Sequence, residues 1–258
     1  MNVLEHNSAA WDELADKNIK WSVPVSSEEI ERARNGVWEI VLTPLKSVPR
    51  EWFGDLRGKD VLCLASGGGQ QAPILAAAGA NVTSFDASEK QLEKDKFVAD
   101  RDNLKIRTEK GDAADLSRFS DESFDLIFNP CSNCFMAELE PIWRECFRVL
   151  RRGGALLAGF NNPIVFIFDE EAEEKEGVLK FRHKLPFSDV RDLTDAERQA
   201  KLARNAPLEF GHTLDAQIGG QISAGFLIAG FYEDWWTDEN RLLNKYTPTF
   251  IATKAIKP

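Results

Sequence analysis

Between residues 56 and 160 the chain alternates short apolar runs with longer segments whose apolar residues recur at helical spacing. Residues 60–65 (DVLCLA) form a β-prone run, and the alanine-rich segment 70–78 predicts a helix that stops at Gly79. A second strand is expected over 81–86, followed by a helix over 88–99 with Ser88 as its N-cap. The pattern then predicts strands over 104–108 and 123–129, and an amphipathic helix over 138–152 closed by Gly153 and Gly154. A fifth strand is expected over 155–160. Strands alternating with helices of this length imply βαβ crossovers, hence an α/β fold whose parallel sheet is covered on both faces.

The flanks are less regular. Residues 1–55 look helical, with Asn7 or Ser8 opening one helix and Ser26 or Ser27 another, and this segment holds Trp11, Trp21, Trp38 and Trp52. Residues 161–206 form an irregular insert with an acidic run over 169–176 and one short helix. That helix opens at a capping box, Thr194-Asp-Ala-Glu197. Residues 207–258 predict a strand over 208–213, a helix from Asp215, and an antiparallel pair over 226–236 and 247–255. With no internal repeat and no low-complexity linker, the chain reads as one domain over residues 1–258. Its parts are a helical cap (1–55), a central core (56–160), an insert or lid (161–206) and C-terminal strands (207–258).

Charge restricts the partners. A net charge of −10 repels a phosphate backbone, and no Lys/Arg cluster is dense enough to make a basic patch, so no nucleic acid is expected. A small molecule is the expected partner. No secretory signal pattern and no apolar run of membrane-spanning length is present, so no membrane contact is expected either. Four cysteines, at 63, 131, 134 and 146, are too few and too clustered for a disulfide framework, which leaves the cytoplasm as the expected compartment.

The candidate chemistry begins where the first strand breaks into Gly67-Gly68-Gly69. Glycines at a first βα turn let the backbone approach a ligand and aim free N–H groups at it. Gly67 to Ala72 satisfies G-x-G-x-x-G/A, and Asp86 at the end of the second strand suits the hydroxyls of an adenosine ribose. Both features fit a nicotinamide dinucleotide and S-adenosyl-L-methionine alike; the loop alone leaves the two open.

From about residue 36 to residue 161 the chain resembles the class I S-adenosylmethionine-dependent methyltransferases of the bacterial small-molecule kind. The resemblance rests on five motifs in order: the loop Ala65-Ser66-Gly67-Gly68-Gly69, Asp86, the turn Gly111-Asp112-Ala113, the strand end Asn129-Pro130, and Arg148-Val-Leu-Arg-Arg-Gly153-Gly154. It implies a Rossmann-like, mostly parallel seven-stranded sheet with one antiparallel strand near its C-terminal edge. It implies that the glycine loop underlies the methionine and ribose, that Asp86 takes both ribose hydroxyls, and that Asp112 brackets the adenine. Gln70, Ala87 and Gln91 join the same expected cofactor set. Three departures stand out. Cys63 occupies the place of the family's strand-one acid, and Ala65 that of a glycine. Asn129-Pro130 is followed by Cys131-Ser132 rather than by the aromatic that methyltransferases of exocyclic amines use for stacking. Backbone carbonyls near Ala65 and the Asn129 side chain are the expected substitutes for the missing acid.

The remaining candidates have plainer alternatives. Cys131-Ser-Asn-Cys134 lacks a second ligand pair, so it is read as small side chains at a pocket mouth rather than a metal or redox centre. The acidic run over 169–176 is read as solvated surface or lid, with no metal expected. Trp38 is expected to offer an aromatic face to the sulfonium. His212 is the candidate general base, the alternative being a buried histidine bonded to backbone. The function expected is methyl transfer from S-adenosyl-L-methionine to an O, N or C atom of a small molecule. The rivals are a nicotinamide-dependent oxidoreductase and a non-catalytic S-adenosylmethionine-binding protein.

Overall fold

Strict alternation decides how the central strand is buried. In a computed structural model describing residues 1–237 and 241–258, β1 (Asp60–Leu64) sends Val61 and Cys63 to one sheet face and Leu62 and Leu64 to the other. All four are fully buried, so both faces are covered. β2 (Asn81–Asp86), β3 (Ile106–Lys110), β4 (Phe124–Asn129) and β5 (Leu150–Asn161) extend the sheet in parallel. β6 (Phe187–Ser188) and β7 (Phe210–Gly211) form a separate two-residue pair. β8 (Leu227–Asp234) and β9 (Phe250–Ile256) complete a seven-stranded sheet of order β3-β2-β1-β4-β5-β9-β8, in which β9 is antiparallel to both neighbours. This is the Rossmann-like, mostly parallel α/β sheet that the sequence predicts, and the chain's reversal between β1 and β4 leaves a crevice at the strands' carboxyl ends.

The helices follow in chain order. They are α1 (Val3–Asp16), α2 (Ser27–Arg34), α3 (Gln71–Ala77), α4 (Glu89–Asp102), α5 (Glu140–Val149), α6 (Glu170–Glu176), α7 (Asp189–Asp192), α8 (Asp195–Ala203) and α9 (Gly220–Ser223). One sheet face packs on Ile30, Leu75 and Val98 from α2, α3 and α4; the other packs on Ile142, Trp143 and Cys146 from α5. Ser26 and Thr194 each cap a helix with a complete capping box, as the sequence suggests. Among the described residues no helix is long and apolar enough to cross a membrane.

Several expectations are corrected. The first helix starts at Val3 under an Asn2 cap, and Asn7 and Ser8 lie inside it. They are polar there because they bond outward across the fold: Asn7 Nδ2 donates to the carbonyls of Phe135 and Leu208, at 2.9 and 3.0 Å, and Ser8 Oγ donates to that of Ala87 at 2.7 Å. Residues 37–49 are not helical. They fold into a loop bridged between Val41 and Ser47, whose tip is held by Asp234 Oδ2 accepting the N–H groups of Leu45 and Lys46 at 2.8 Å each.

Gly153 and Gly154 do not end α5, which stops at Val149. They sit inside β5 and bond the backbone of Lys257, with Gly153 at φ +77°. The strand expected over 208–213 shrinks to the two residues of β7, and the helix from Asp215 opens as a single π turn. The acidic run becomes α6, capped by Asp169, with Glu170 and Glu173 ion-paired to Arg241.

Ala65, at the mouth of the crevice, is a non-glycine residue with a left-handed backbone angle, φ +47°. A side chain there costs about 1–2 kcal/mol, whereas glycine loses about 0.5–1 kcal/mol of extra chain entropy on folding. Ala65→Gly is therefore expected to leave stability unchanged or raise it by up to about 1 kcal/mol, by urea denaturation. A loss of about 1 kcal/mol or more would show that the alanine methyl is a packing contact that outweighs the strain.

Candidate functional site

The glycine loop is held by its own protein. Gly67 N–H donates to Asp86 Oδ2 at 3.0 Å, Gly68 N–H to the Gln91 carbonyl at 3.0 Å, and Gly69 N–H to Asp95 Oδ1 at 2.8 Å. The expectation of three N–H groups free for a ligand is corrected: all three are spent. Glycine is required here by close packing as well. A Cβ on Gly67 would lie 2.6 Å from Gln91 Cβ, and one on Gly68 would lie 2.5 Å from the Trp21 carbonyl. Gly68 and Gly69 also have φ of +122° and +75°. The segment from Trp21 to Pro24 is laid against the loop, with Gln70 Nε2 donating to the carbonyls of Lys20 and Val23 and Val25 N–H to that of Gly69.

In front of the loop lies a cavity of about 270 Å³. Ala65, Ser66, Gly67, Gln70, Asp86, Ala87, Gln91, Gly111, Asp112, Ala113 and Pro130 line it, so the structure brings these sequence candidates together. Asp86 ends β2 with Oδ1 accepting Ser88 N–H at 2.9 Å, and each carboxylate oxygen keeps a further lone pair. Burial pushes its carboxyl above the ordinary value, against the N–H bonds that hold it down. Asp112 Oδ1 accepts Ala114 N–H at 2.9 Å, which fixes the turn at the cavity wall. Gly111 is dictated by Phe85, whose ring would be 2.4 Å from an added Cβ. Ser66 Oγ is buried on the cavity wall without a hydrogen-bond partner, an orphan that a bound polar group would satisfy.

Five candidates lie elsewhere. Gly68 and Gly69 sit behind the lining and shape the loop. Asn129 is fully buried below it, its Nδ2 donating to the Leu64 carbonyl and Ser132 Oγ, both at 3.0 Å. It ties the ends of β1 and β4 together, and its Oδ1, like Ser66 Oγ, is buried without a hydrogen-bond partner. Trp38 is outside the cavity: the Arg50 guanidinium covers its ring 3.3 Å from the centroid, and Phe53 meets it edge-on. His212 is also outside. It is buried with Nε2 donating to the Met136 carbonyl at 2.8 Å, and burial lowers its proton affinity. It does not line the cavity, so the buried histidine bonded to backbone is the arrangement found and the general base is corrected.

The aromatic faces come from other residues. Trp21, Trp236 and Phe250 make a continuous wall, with centroids 6.5 Å apart between the tryptophans and 5.3 Å in the Trp236–Phe250 stack. Trp11 meets Phe135 edge-on at 5.1 Å on another wall. Trp236 was within reach of strand alternation, being in phase with buried Tyr232 and Asp234. Trp21 and Glu209, which also lines the cavity, carry no such signal. Cys131 and Cys134 line it too, with both thiols pushed well up by burial and so kept protonated.

A model described as a methyltransferase domain matches residues 62–158. An uncharacterized methyltransferase of Bacillus subtilis (strain 168) is 50% identical over 258 residues, covering 100% of both chains. A sterol 24-C-methyltransferase of Pneumocystis carinii is 28% identical over 129 residues, 49% of this chain and 34% of that one. The crystal structure of an S-adenosylmethionine-dependent methyltransferase from Mesorhizobium loti superposes with a TM-score of 0.62 at 19% identity, covering 80% of this chain and 94% of that one.

Asp95 supports this site from beneath. It is fully buried, accepts from Gly69 N–H and from Ser84 Oγ at 2.5 Å, and desolvation raises its carboxyl to about 7. A carboxyl that binds its proton more tightly folded than unfolded favours the fold below the unfolded value, near 4, and loses that contribution as pH rises to about 7. Asp95→Asn, which preserves the acceptor for Gly69 N–H, is expected to remove this loss. Urea midpoints of variant and parent should converge at pH 4 and separate, variant higher, by pH 8; parallel curves would refute a raised Asp95.

Proposed function

The chain belongs to the class I S-adenosylmethionine-dependent methyltransferases, and on that premise we propose that it methylates an apolar small molecule held in the aromatic half of the cavity. The observation that carries the reading is one continuous cavity lined both by two acids, Asp86 and Asp112, and by the aromatic residues Trp11, Trp21, Trp236 and Phe250. The residues fit the cofactor. Asp86 would accept the ribose hydroxyls, Asp112 would bracket the adenine beside Phe85 and Ala113, and the unpartnered Ser66 hydroxyl would meet the polar methionine end. S-adenosyl-L-methionine, when bound, supplies a methyl group on a positively charged sulfur.

The chain's own contribution is alignment and dryness. The loop from Ala65 to Gly67, braced from behind, offers a fixed floor, so little reorganisation is needed on binding. The aromatic wall excludes water and presents π faces that tolerate a cation. Among the described residues that line the cavity none is a histidine or a lysine, which fits an acceptor that needs no strong base. A relative named for a sterol acceptor is in keeping with an apolar substrate. We place the protein in the cytoplasm, where its four free cysteines stay reduced.

Calorimetry with S-adenosylhomocysteine tests the reading. Two bonds to a carboxylate are at stake at Asp86, each about 1.5–3 kcal/mol. Asp86→Ala is expected to weaken binding at least about tenfold with the fold retained, and NAD should give no heat. Unchanged affinity in the variant would remove Asp86 from the site. Turnover over an acceptor panel separates an enzyme from a protein that only binds the cofactor.

A further inference from the structure

The acceptor half of the cavity has a sign. Among the described residues that line the cavity there is no lysine, arginine or histidine, and the charged ones are Asp86, Asp112 and Glu209. On the reading above, from which this inference proceeds, the first two serve the cofactor. Glu209 is then the charge left for the acceptor.

Glu209 is set in place with care. Asp189, on α7 and buried, accepts Glu209 N–H at 2.7 Å and returns its own N–H to the Glu209 carbonyl at 3.0 Å. Lys201, from α8, bridges the Asp189 and Glu209 carboxylates and lies 2.9 Å from Glu209 Oε2. Its charge is held on by those two acids despite burial. One cation between two carboxylates leaves an excess of one negative charge. The Asp189 side chain is 4% exposed whereas that of Glu209 is 40% exposed, so the excess is presented at Glu209. An anionic acceptor entering here would meet the Glu209 carboxylate with no cation among the described lining residues, Lys201 being held behind it, whereas a cation would meet a carboxylate in a cavity with aromatic walls.

We propose that Glu209 determines specificity, binding a cationic nitrogen on an otherwise apolar acceptor. Glu209 anchors the acceptor; it is not assigned a proton-transfer step. The anchor is rigid, because both its backbone groups and one carboxylate oxygen are fixed, so binding a cation costs little ordering.

The test uses three probes of one shape: 2-phenylethylamine, 2-phenylethanol and phenylacetate, titrated calorimetrically at pH 7.5 with and without saturating S-adenosylhomocysteine. The amine is expected to bind at least about tenfold more tightly than the alcohol, and phenylacetate more weakly than either. Glu209→Gln leaves Lys201 paired to Asp189; it should erase the amine's advantage, leave the alcohol's affinity unchanged and leave S-adenosylhomocysteine binding intact. Equal affinities, tighter phenylacetate, no binding by any probe up to 10 mM (on the order of the weakest useful affinity), or a preference that survives Glu209→Gln would each overturn the proposal. Absence of S-adenosylhomocysteine binding would instead strike the functional reading itself, while the probe series without it still decides on Glu209.

Discussion

Everything at the site depends on three glycine N–H groups that point inward. Gly67, Gly68 and Gly69 give their hydrogen bonds to Asp86, to the Gln91 carbonyl and to Asp95, so the loop is bolted to β2 and α4. The N-terminal segment from Trp21 to Val25 then closes on it from outside. A glycine loop that spends its donors this way is a rigid surface rather than an anion cradle. That suits a ligand whose charge near the loop is a sulfonium, since a nest of unspent N–H groups would favour an anion instead.

The same bolt links the two ends of the cavity. α1 runs over it with Ser8 bonded to the β2–α4 turn, and Asp12 accepting from Ser88 Oγ at 2.6 Å and from Lys90 N–H at 3.0 Å. The preceding residue, Asn7, reaches Phe135 and Leu208, the latter next to Glu209. A single helix therefore joins the turn beside Asp86 to the strand beside Glu209. The polar residues that look like helix-opening signals in the sequence are the rivets of this joint, which is why propensity misplaces the helix start by several residues.

What was legible follows from periodicity and local chemistry. The five central strands, the caps at Ser26, Ser88 and Thr194, and the acids at Asp86 and Asp112 are set by alternation or by short-range hydrogen bonds, and these leave marks in sequence order. What was not legible depends on contacts between distant residues. Trp38 reads as a free aromatic until Arg50 covers it, and His212 reads as a base until the fold buries it off the cavity, bonded to the Met136 carbonyl. Glu209 reads as one acid among 42 Asp and Glu residues; only the pairing of β6 with β7 brings it to the cavity beside Asp189 and Lys201.

The missing acid of strand one has an answer of the same long-range kind. Cys63 is fully buried, and its thiol is pushed up by burial and by the charge of Asp95. A carboxylate therefore does stand near position 63, but it arrives from α4 and points to Gly69 and Ser84 rather than into the cavity. An acid reaching the cavity from strand one would be one more negative charge beside Asp86, whose carboxyl already resists ionisation. Placed behind the loop, Asp95 is met by two donors, and its raised carboxyl, lifted by burial and by the nearby Asp86, limits the charge it adds there. Ser66, in the same loop, lines the cavity and has its hydroxyl buried without a partner. Among the described residues that line the cavity, its negative charge is carried by Asp86, Asp112 and Glu209.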